Sequence, residues 1–260
     1  MPTSVPDIVH GLPLFAGLNE QETGELIQEG RTRLCPKGRS LFVCGDEIRH
    51  FYILCEGAVQ VFRETPEGRE MTADILMVGD TLGELDLLQS QPTRSFNAVA
   101  INDVVVLEFS AAWFQKTVTY NSVLALNLLA MIARRADTVA IEAEHKSTMA
   151  AAQQVACFLE RYCILHHCDP HGFDLPYSKT LIASRLGMEL ETFSRALVKV
   201  REHGMAVEGT KVSFVDIEEI GKYVCSSCSI CESCKEYEAL KAVLPKKDPV
   251  QATDTSADLT

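Results

Sequence analysis

Residues 178–203, SKTLIASRLGMELETFSRALVKVREH, decide the fold of the C-terminal part of this chain. Two helical segments, 178–186 and 189–203, flank the turn residue Gly187, and Gly204 follows the second helix. Ser178 is a suitable N-cap for the first helix. Apolar residues recur at helical spacing in both segments, at Ile182, Leu186, Phe193, Leu197 and Val200. The pattern predicts a helix-turn-helix.

The other side of the second helix is polar and suited to contact with DNA. It carries Glu191, Ser194, Arg195 and Lys199. Arginine can donate two hydrogen bonds to guanine, glutamate can accept from cytosine, and serine can contact bases or phosphates. Residues 175–215 hold six lysines and arginines against four glutamates, a net charge of +2, whereas the whole chain carries −12. The alternative interpretation is an ordinary charged helix surface.

The N-terminal part has the pattern of a small antiparallel β-structure. Short apolar runs such as 40–43, 51–55 and 58–62 alternate with glycine-containing turns every 8–12 residues or so. A short helix over 18–30, with Asn19 as its N-cap, precedes them. This spacing favours a roll or a sandwich over residues 1–109.

Residues 110–144 contain no proline or glycine and predict a helix of about thirty residues, spanning about 45 Å. An apolar stripe with steps of three and four residues runs along it, formed by Ala125, Leu128, Ile132, Arg135 and Val139 and widened by Leu124, Leu129 and Met131. Such a stripe indicates a coiled-coil seam between two subunits, or else packing on the chain's own roll. A second helical region, 148–166, follows.

Composition excludes several classes of protein. Apolar residues make up 47 % and charged residues 23 %, as in a globular domain, and no apolar run is long enough to span a membrane. The N-terminus has no secretory pattern, so we expect a cytoplasmic protein whose ten cysteines serve metal or redox chemistry rather than disulfides. The sequence shows neither a Ser/His/Asp set nor a Walker loop, which argues against an enzyme.

Four cysteines, Cys225, Cys228, Cys231 and Cys234, form three successive C-x2-C steps in VCSSCSICESCKE. Such a run is similar to the ligand pattern of bacterial ferredoxins and favours an iron–sulfur cluster of the 4Fe–4S type. Zinc is the second interpretation, since structural zinc sites usually separate two such pairs by a longer insert. Disulfides formed in air, or thiols without metal, are the third. The other six cysteines lie mostly within apolar runs and are expected to be buried core thiols.

The order roll, long helix, helix-turn-helix and hairpin resembles the family of the catabolite activator protein and the fumarate–nitrate reduction regulators, the CRP/FNR family. The most specific stretches are Gly83-Glu84-Leu85 with Arg94-Ser95, and residues 178–187 leading to the ETFSR string at 191–195. This string resembles the recognition helix of the branch that senses oxygen and nitrosative stress, which reads a TTGA-type half-site. Leu190 stands where the catabolite-activator branch has arginine. The resemblance implies DNA-binding roles for Ser178, Glu191, Thr192, Ser194, Arg195 and Lys199.

The resemblance, which covers about residues 12–217, also implies an α+β architecture, and with the cysteine run and the polar, proline-containing C-terminus it divides the chain into five parts. These are a β-roll effector domain (1–109), a dimerisation helix (110–144), a winged helix-turn-helix (145–217), a cysteine-rich metal segment (218–243) and a disordered tail (244–260). It implies a homodimer on a palindromic DNA operator, with RNA polymerase as a further partner.

In the roll, the resemblance assigns an effector pocket to Gly83, Glu84, Arg94 and Ser95, in which the arginine would bind a cyclic nucleotide's phosphate. Asp86 departs from the pattern because it places an anion beside that phosphate. When Arg134 and Arg135 are aligned with the family's pair, Val139 and Ala140 stand where hydroxyl groups would contact the base. The alternative is a pocket without ligand, in which Glu84 and Arg94 form a structural ion pair.

The function that these features imply is transcription regulation by a redox or nitric oxide signal received at the C-terminal cluster. The recognition helix is also similar to that of hybrid-cluster-protein regulators, some of which use haem. His10, His50 and His145 are haem ligand candidates, and none is assigned. Alternatives are a regulator that responds to a cyclic nucleotide or haem, with zinc or bare thiols at its C-terminus, a pure cyclic-nucleotide-binding module, and an electron-transfer protein.

Overall fold

The computed structural model describes residues 5–88, 93–165, 169 and 171–228. The predicted tail, Cys168, Cys231 and Cys234 lie outside these residues. The predicted α+β architecture of a strand-rich roll, a long helix and a C-terminal helix-turn-helix domain is confirmed.

Among its described residues, the roll contains eight strands and three α-helices. In chain order they are α1 (Val5–His10), α2 (Glu20–Gln28), β1 (Arg31–Cys35), β2 (Ser40–Phe42), β3 (His50–Glu56), β4 (Val59–Glu64), β5 (Glu70–Leu76), β6 (Thr81–Leu82), α3 (Glu84–Leu88), β7 (Asn97–Ala100) and β8 (Val104–Ser110). The strands form two antiparallel four-stranded sheets, ordered β1-β8-β3-β6 and β2-β7-β4-β5. Their apolar side chains form the core between the sheets, as the alternating pattern predicts.

The predicted N-cap of α2 is confirmed. The Asn19 side chain accepts a hydrogen bond from the Glu22 N–H, and the Glu22 carboxylate accepts one from the Asn19 N–H, each at 2.9 Å. Two backbone donors at the helix start are thereby satisfied.

The segment predicted as one helix, 110–144, is two helices, α4 (Ala111–Tyr120) and α5 (Ser122–Thr148). Asn121 separates them in an extended conformation, and its side chain accepts a hydrogen bond from the Leu124 N–H at 3.0 Å. The asparagine N-cap thus begins a new helix, although no proline or glycine marks the break. The long helix also continues four residues past its predicted end.

The apolar stripe predicted for α5 is divided between two faces. Leu124 and Leu128 are buried against the chain's own roll, so for them packing on the roll is the correct interpretation. Leu126 and Leu129 are 66 % and 60 % exposed on another side of the helix. When a helix has two apolar faces, its apolar residues no longer follow the steps of three and four that a single stripe would give.

In the C-terminal domain, the residues that the structure describes form four helices packed with a three-stranded sheet. In chain order its elements are α6 (Ala151–Leu165), β9 (Phe173–Asp174), α7 (Lys179–Arg185), α8 (Leu190–Glu202), β10 (Met205–Glu208), β11 (Lys211–Phe214) and α9 (Ile217–Cys225), and the strand order is β10-β11-β9. None of the helices in the described ranges is long and apolar enough to cross a membrane.

The cysteines outside the C-terminal run differ in burial. Cys35, Cys55 and Cys163 are buried, as predicted, whereas Cys157 is half-buried. Cys44 is exposed, contrary to the prediction, because it lies in the turn after β2 rather than within a strand.

Candidate functional site

Helix α8 separates its predicted DNA-contacting residues from the core. Phe193 and Val200 are fully buried, which holds one side of α8 against the domain. On the opposite side four polar residues are exposed, namely Glu191, Ser194, Arg195 and Lys199, while Thr192 is half-buried. The helix therefore offers a polar surface on a rigid support, as contact with base edges requires.

Helix α7 and the turn fix the orientation of α8. Ser178 caps α7, its Oγ accepting a hydrogen bond from the Leu181 N–H at 3.4 Å, and its side chain is exposed. Gly187 occupies the left-handed region, with φ of +69°, where a residue with a side chain would be strained. After it, the Met188 N–H donates to the Ala183 carbonyl at 2.8 Å and closes the turn.

Contacts with the roll and with α5 hold α7 in place, and no local pattern in the sequence indicates them. The Arg185 guanidinium donates two hydrogen bonds to the Glu142 carboxylate, at 2.8 and 2.9 Å, and a third to Asp74 of β5 at 3.3 Å. Beside it, the hydroxyl groups of Thr72 and Ser184 lie 2.8 Å apart. Asp74 and Arg185 are 111 positions apart in the chain, so no local pattern could reveal the pair.

In the predicted effector pocket, Arg94 is already paired within the protein. Its side chain is 1 % exposed and donates to Asp86 at 3.1 Å and to the His50 carbonyl. Asp86 also accepts a hydrogen bond from the Ser95 N–H at 3.2 Å. Gly83 has φ of +97°, and a Cβ there would lie 2.5 Å from the arginine's Nη1. The structure therefore brings the Gly83, Arg94 and Ser95 positions together around Asp86.

The alternative in which Glu84 pairs with Arg94 is wrong. Glu84 instead accepts from Arg135 of α5 at 2.6 Å, and the same guanidinium donates to Asp74 at 2.9 Å. Burial raises the pKa of Glu84, although Arg135 opposes this effect. Arg94 pairs with Asp86, and Arg135 pairs with Glu84. Carboxylates of the protein therefore bind both guanidinium groups of the pocket. Val139 and Ala140 are exposed on α5.

The described part of the cysteine segment lies at the end of α9. This helix ends at Cys225, and the Cys228 N–H donates to the Cys225 carbonyl at 3.2 Å in the turn that follows. Cys225 therefore lies at the last residue of the helix, and Cys228 lies in the turn beyond it. Among the residues that the structure describes, no group of three or more cysteine, histidine or acidic side chains could hold a metal ion. A complete donor set would have to include Cys231 and Cys234.

His145 lies beside Cys228. The imidazole Nε2 is 3.5 Å from the Cys228 sulfur, and Nδ1 is 3.9 Å from the Cys157 sulfur. Burial of the ring, followed by the charge of Arg161, lowers the pKa of His145. In the neutral form of an imidazole one nitrogen donates and the other accepts. Of the three histidines considered for haem, His145 has two sulfur neighbours.

Comparison with known proteins agrees with this geometry. Residues 32–121 match the cyclic nucleotide-binding domain family, and residues 153–223 match the Crp-like helix-turn-helix domain family. The chain is 30 % identical to the cyclic AMP receptor protein of Thermus thermophilus over 195 residues, 75 % of this chain and 88 % of the relative. It is 27 % identical to the nitrogen fixation regulation protein FixK of Bradyrhizobium diazoefficiens over 77 % of this chain and 85 % of the relative.

A solved structure gives the same architecture. FixK2 of Bradyrhizobium japonicum superposes with a TM-score of 0.66, at 22 % identity, over 75 % of this chain and 96 % of that chain. The relatives are transcription regulators rather than enzymes, and regulators of this kind bind DNA and act as dimers. The chain belongs to the CRP/FNR family of DNA-binding transcription regulators.

Proposed function

We propose that this regulator reads a TTGA-type palindrome with one α8 from each of two subunits, and that its C-terminal cysteines report a redox or nitric oxide signal. The observation that carries the first half is the exposed polar side of α8 above its buried apolar side. Glu191, Ser194 and Arg195 lie in the first turns of the helix, the part that enters the major groove in helix-turn-helix proteins.

Replacing Arg195 with alanine tests the reading of bases. The exposed guanidinium can form a bidentate contact with guanine, so its loss should cost about 1–3 kcal/mol at one base pair and relax specificity there. Affinities for the operator and for operators changed at single positions would be measured by fluorescence anisotropy at fixed salt.

Arg201→Ala is the matched control. Arg201 is an exposed cation on the same helix, and it pairs with Glu208 of the wing at 3.1 Å. Its removal should weaken binding to every sequence alike, leaving discrimination unchanged. The role of Arg195 is refuted if its alanine variant keeps the wild-type ratio between operator and scrambled DNA.

The second subunit would pack on the exposed face of α5. Leu126, Leu129, Ala133, Ala136 and Ala140 recur there at steps of three and four residues, and all are exposed in the single chain. Of these residues, Leu129 alone belongs to the stripe that the sequence predicts, whereas Leu124 and Leu128 of that stripe face the roll. RNA polymerase remains an expected partner of a regulator of this kind.

For the sensor, the donor set favours an iron–sulfur cluster, with zinc as the alternative. Four thiolates within ten residues suit both groups, and the end of α9 at Cys225 leaves Cys228 outside the helix. An exposed iron–sulfur group would supply chemistry that nitric oxide or oxygen attacks. Haem has weaker support, because the described surroundings of His145 are sulfur atoms rather than an open face.

Metal analysis after anaerobic purification tests this proposal. We expect a brown protein with roughly four irons per chain. Cys228→Ser should remove most of the iron, whereas Cys44→Ser, which alters an exposed cysteine of the roll, should keep it. Colourless protein with one zinc per chain would replace the cluster with the zinc alternative. Protein with neither metal would refute a metal role for the segment.

A further inference from the structure

His145 lies at the junction between the dimer helix and the DNA-binding domain. Helix α5 ends three residues later, at Thr148, and α6 begins at Ala151. Met149 between them is extended, with φ of −95° and ψ of 140°, and its N–H donates to the His145 carbonyl at 2.9 Å. We call residues 149–150 the hinge. A change in the position of His145 acts directly on the residue at which the chain changes direction.

Gln153, which follows the hinge, contacts the C-terminal end of α9, where Cys225 lies. Gln153 is buried, and its side-chain oxygen, Oε1, accepts a hydrogen bond from the Ala150 N–H at 2.9 Å. Its amide nitrogen donates to the Tyr223 carbonyl at 2.8 Å and lies 3.1 Å from the Ser226 hydroxyl. The segment that carries Cys225 and Cys228 is therefore tied to both sides of the hinge, by His145 before it and by Gln153 after it.

Helix α9 is also joined to the end of the recognition helix. The Tyr223 ring stacks on His203, the C-cap residue of α8, with 3.7 Å between ring centroids and 8° between planes. The His203 imidazole lies 3.5 Å from the Glu219 carboxylate of α9. A displacement of α9 would thus change contacts at the hinge and at α8 together.

We propose that His145 is a positioning residue for the cysteine segment, whose Nε2–H donates to the Cys228 sulfur and so connects the state of that segment with the hinge. This inference rests on the proposed metal role of the cysteines. A metal-bound thiolate accepts hydrogen bonds only, so in the 3.5 Å contact the proton lies on Nε2 and the Cys228 sulfur accepts. Hydrogen bonds to the sulfur ligands of a metal group stabilise the group and orient the ligands.

Two substitutions distinguish the role of Nε2 from the role of Nδ1 in the His145 ring. In His145→Gln the amide nitrogen can reach the position of Nε2, whereas the shorter side chain in His145→Asn reaches only the position of Nδ1. His145→Ala removes both. Full-length dimers would be purified anaerobically, and the rate of metal loss to excess EDTA would be followed together with amide hydrogen exchange over 146–153.

We expect all three variants to load metal at the wild-type stoichiometry. His145→Ala and His145→Asn should lose it roughly tenfold faster, with faster exchange at the hinge, and His145→Gln should restore most of the wild-type rate. Equal rates for the Gln and Asn variants, or wild-type rates in the alanine variant, would overturn the inference. If the wild type holds no metal, the proposed sensor fails separately, and unchanged hinge exchange in His145→Ala would then overturn the positioning role as well.

Discussion

Replacing Asp86 with alanine should lower the free energy of unfolding of the roll by about 3–5 kcal/mol, because it leaves the buried Arg94 charge without its partner. The arginine side chain is 1 % exposed, and it cannot reach water without opening the core around Phe42, over whose ring it lies at 4.1 Å. The alanine variant also removes the acceptor for the Ser95 N–H. Urea unfolding, with the slope compared between variants, measures the loss.

A surface pair provides the control for Asp86. Glu47 and Arg49 lie 3.1 Å apart in the same domain, but their side chains are 69 % and 72 % exposed. Glu47→Ala should therefore change the free energy of unfolding by less than about 1 kcal/mol. If the two alanine variants unfold at the same urea concentration, Arg94 does not depend on Asp86.

The buried pair of Asp86 and Arg94 also bears on ligand binding by the roll. One relative of this chain is named a cyclic AMP receptor protein, and cyclic AMP carries a phosphate anion. Here Asp86 takes the guanidinium of Arg94, and Glu84 takes that of Arg135. A phosphate would have to displace a buried carboxylate that carries the same charge, which is unfavourable in a medium of low dielectric constant. The arrangement therefore agrees with a signal received at another place in the chain.

Local signals explain what the sequence predicted correctly. Helices α2 and α7 have their capping residues, Asn19 and Ser178, next to the residues that they cap, and α8 has its apolar periodicity within one segment, so a local pattern predicts all three features. The break at Asn121 was missed because neither proline nor glycine marks it.

Pairings over long distances in the chain were not predictable. The sequence shows that Asp86 does not suit a phosphate site, but three carboxylates and two arginines allow several pairings. Only the fold decides that Arg94 takes Asp86 while Arg135 bridges Glu84 and Asp74. The same holds for His145 and Cys228, which are 83 positions apart. A lone histidine in a helix gives no sign of a sulfur neighbour.

Replacing Glu160 with glutamine should stabilise the DNA-binding domain increasingly as the pH rises from about 5 to 8. Glu160 of α6 is 6 % exposed, and its Oε1 has no hydrogen-bond partner among the residues that the structure describes. Burial raises the pKa of this carboxyl from 4.5 to about 8. The folded protein therefore keeps a proton that the unfolded chain releases above pH 4.5, and folding becomes less favourable with rising pH.

The size of this effect follows from the interval between the two pKa values. Each pH unit above 4.5 costs about 1.4 kcal/mol until the folded pKa is reached, so the penalty at pH 7 is on the order of 3 kcal/mol. Glutamine has the same shape, a similar helix propensity and no charge, so it should remove the penalty. Thermal or urea unfolding of both proteins at pH 5, 6, 7 and 8 should show a gap that widens with pH. The exposed Glu202→Gln in α8 is the control, with an expected change under about 0.5 kcal/mol. A constant gap for Glu160→Gln across this range would mean that the carboxyl is ionised inside the folded domain, held there by a cation from outside the described residues.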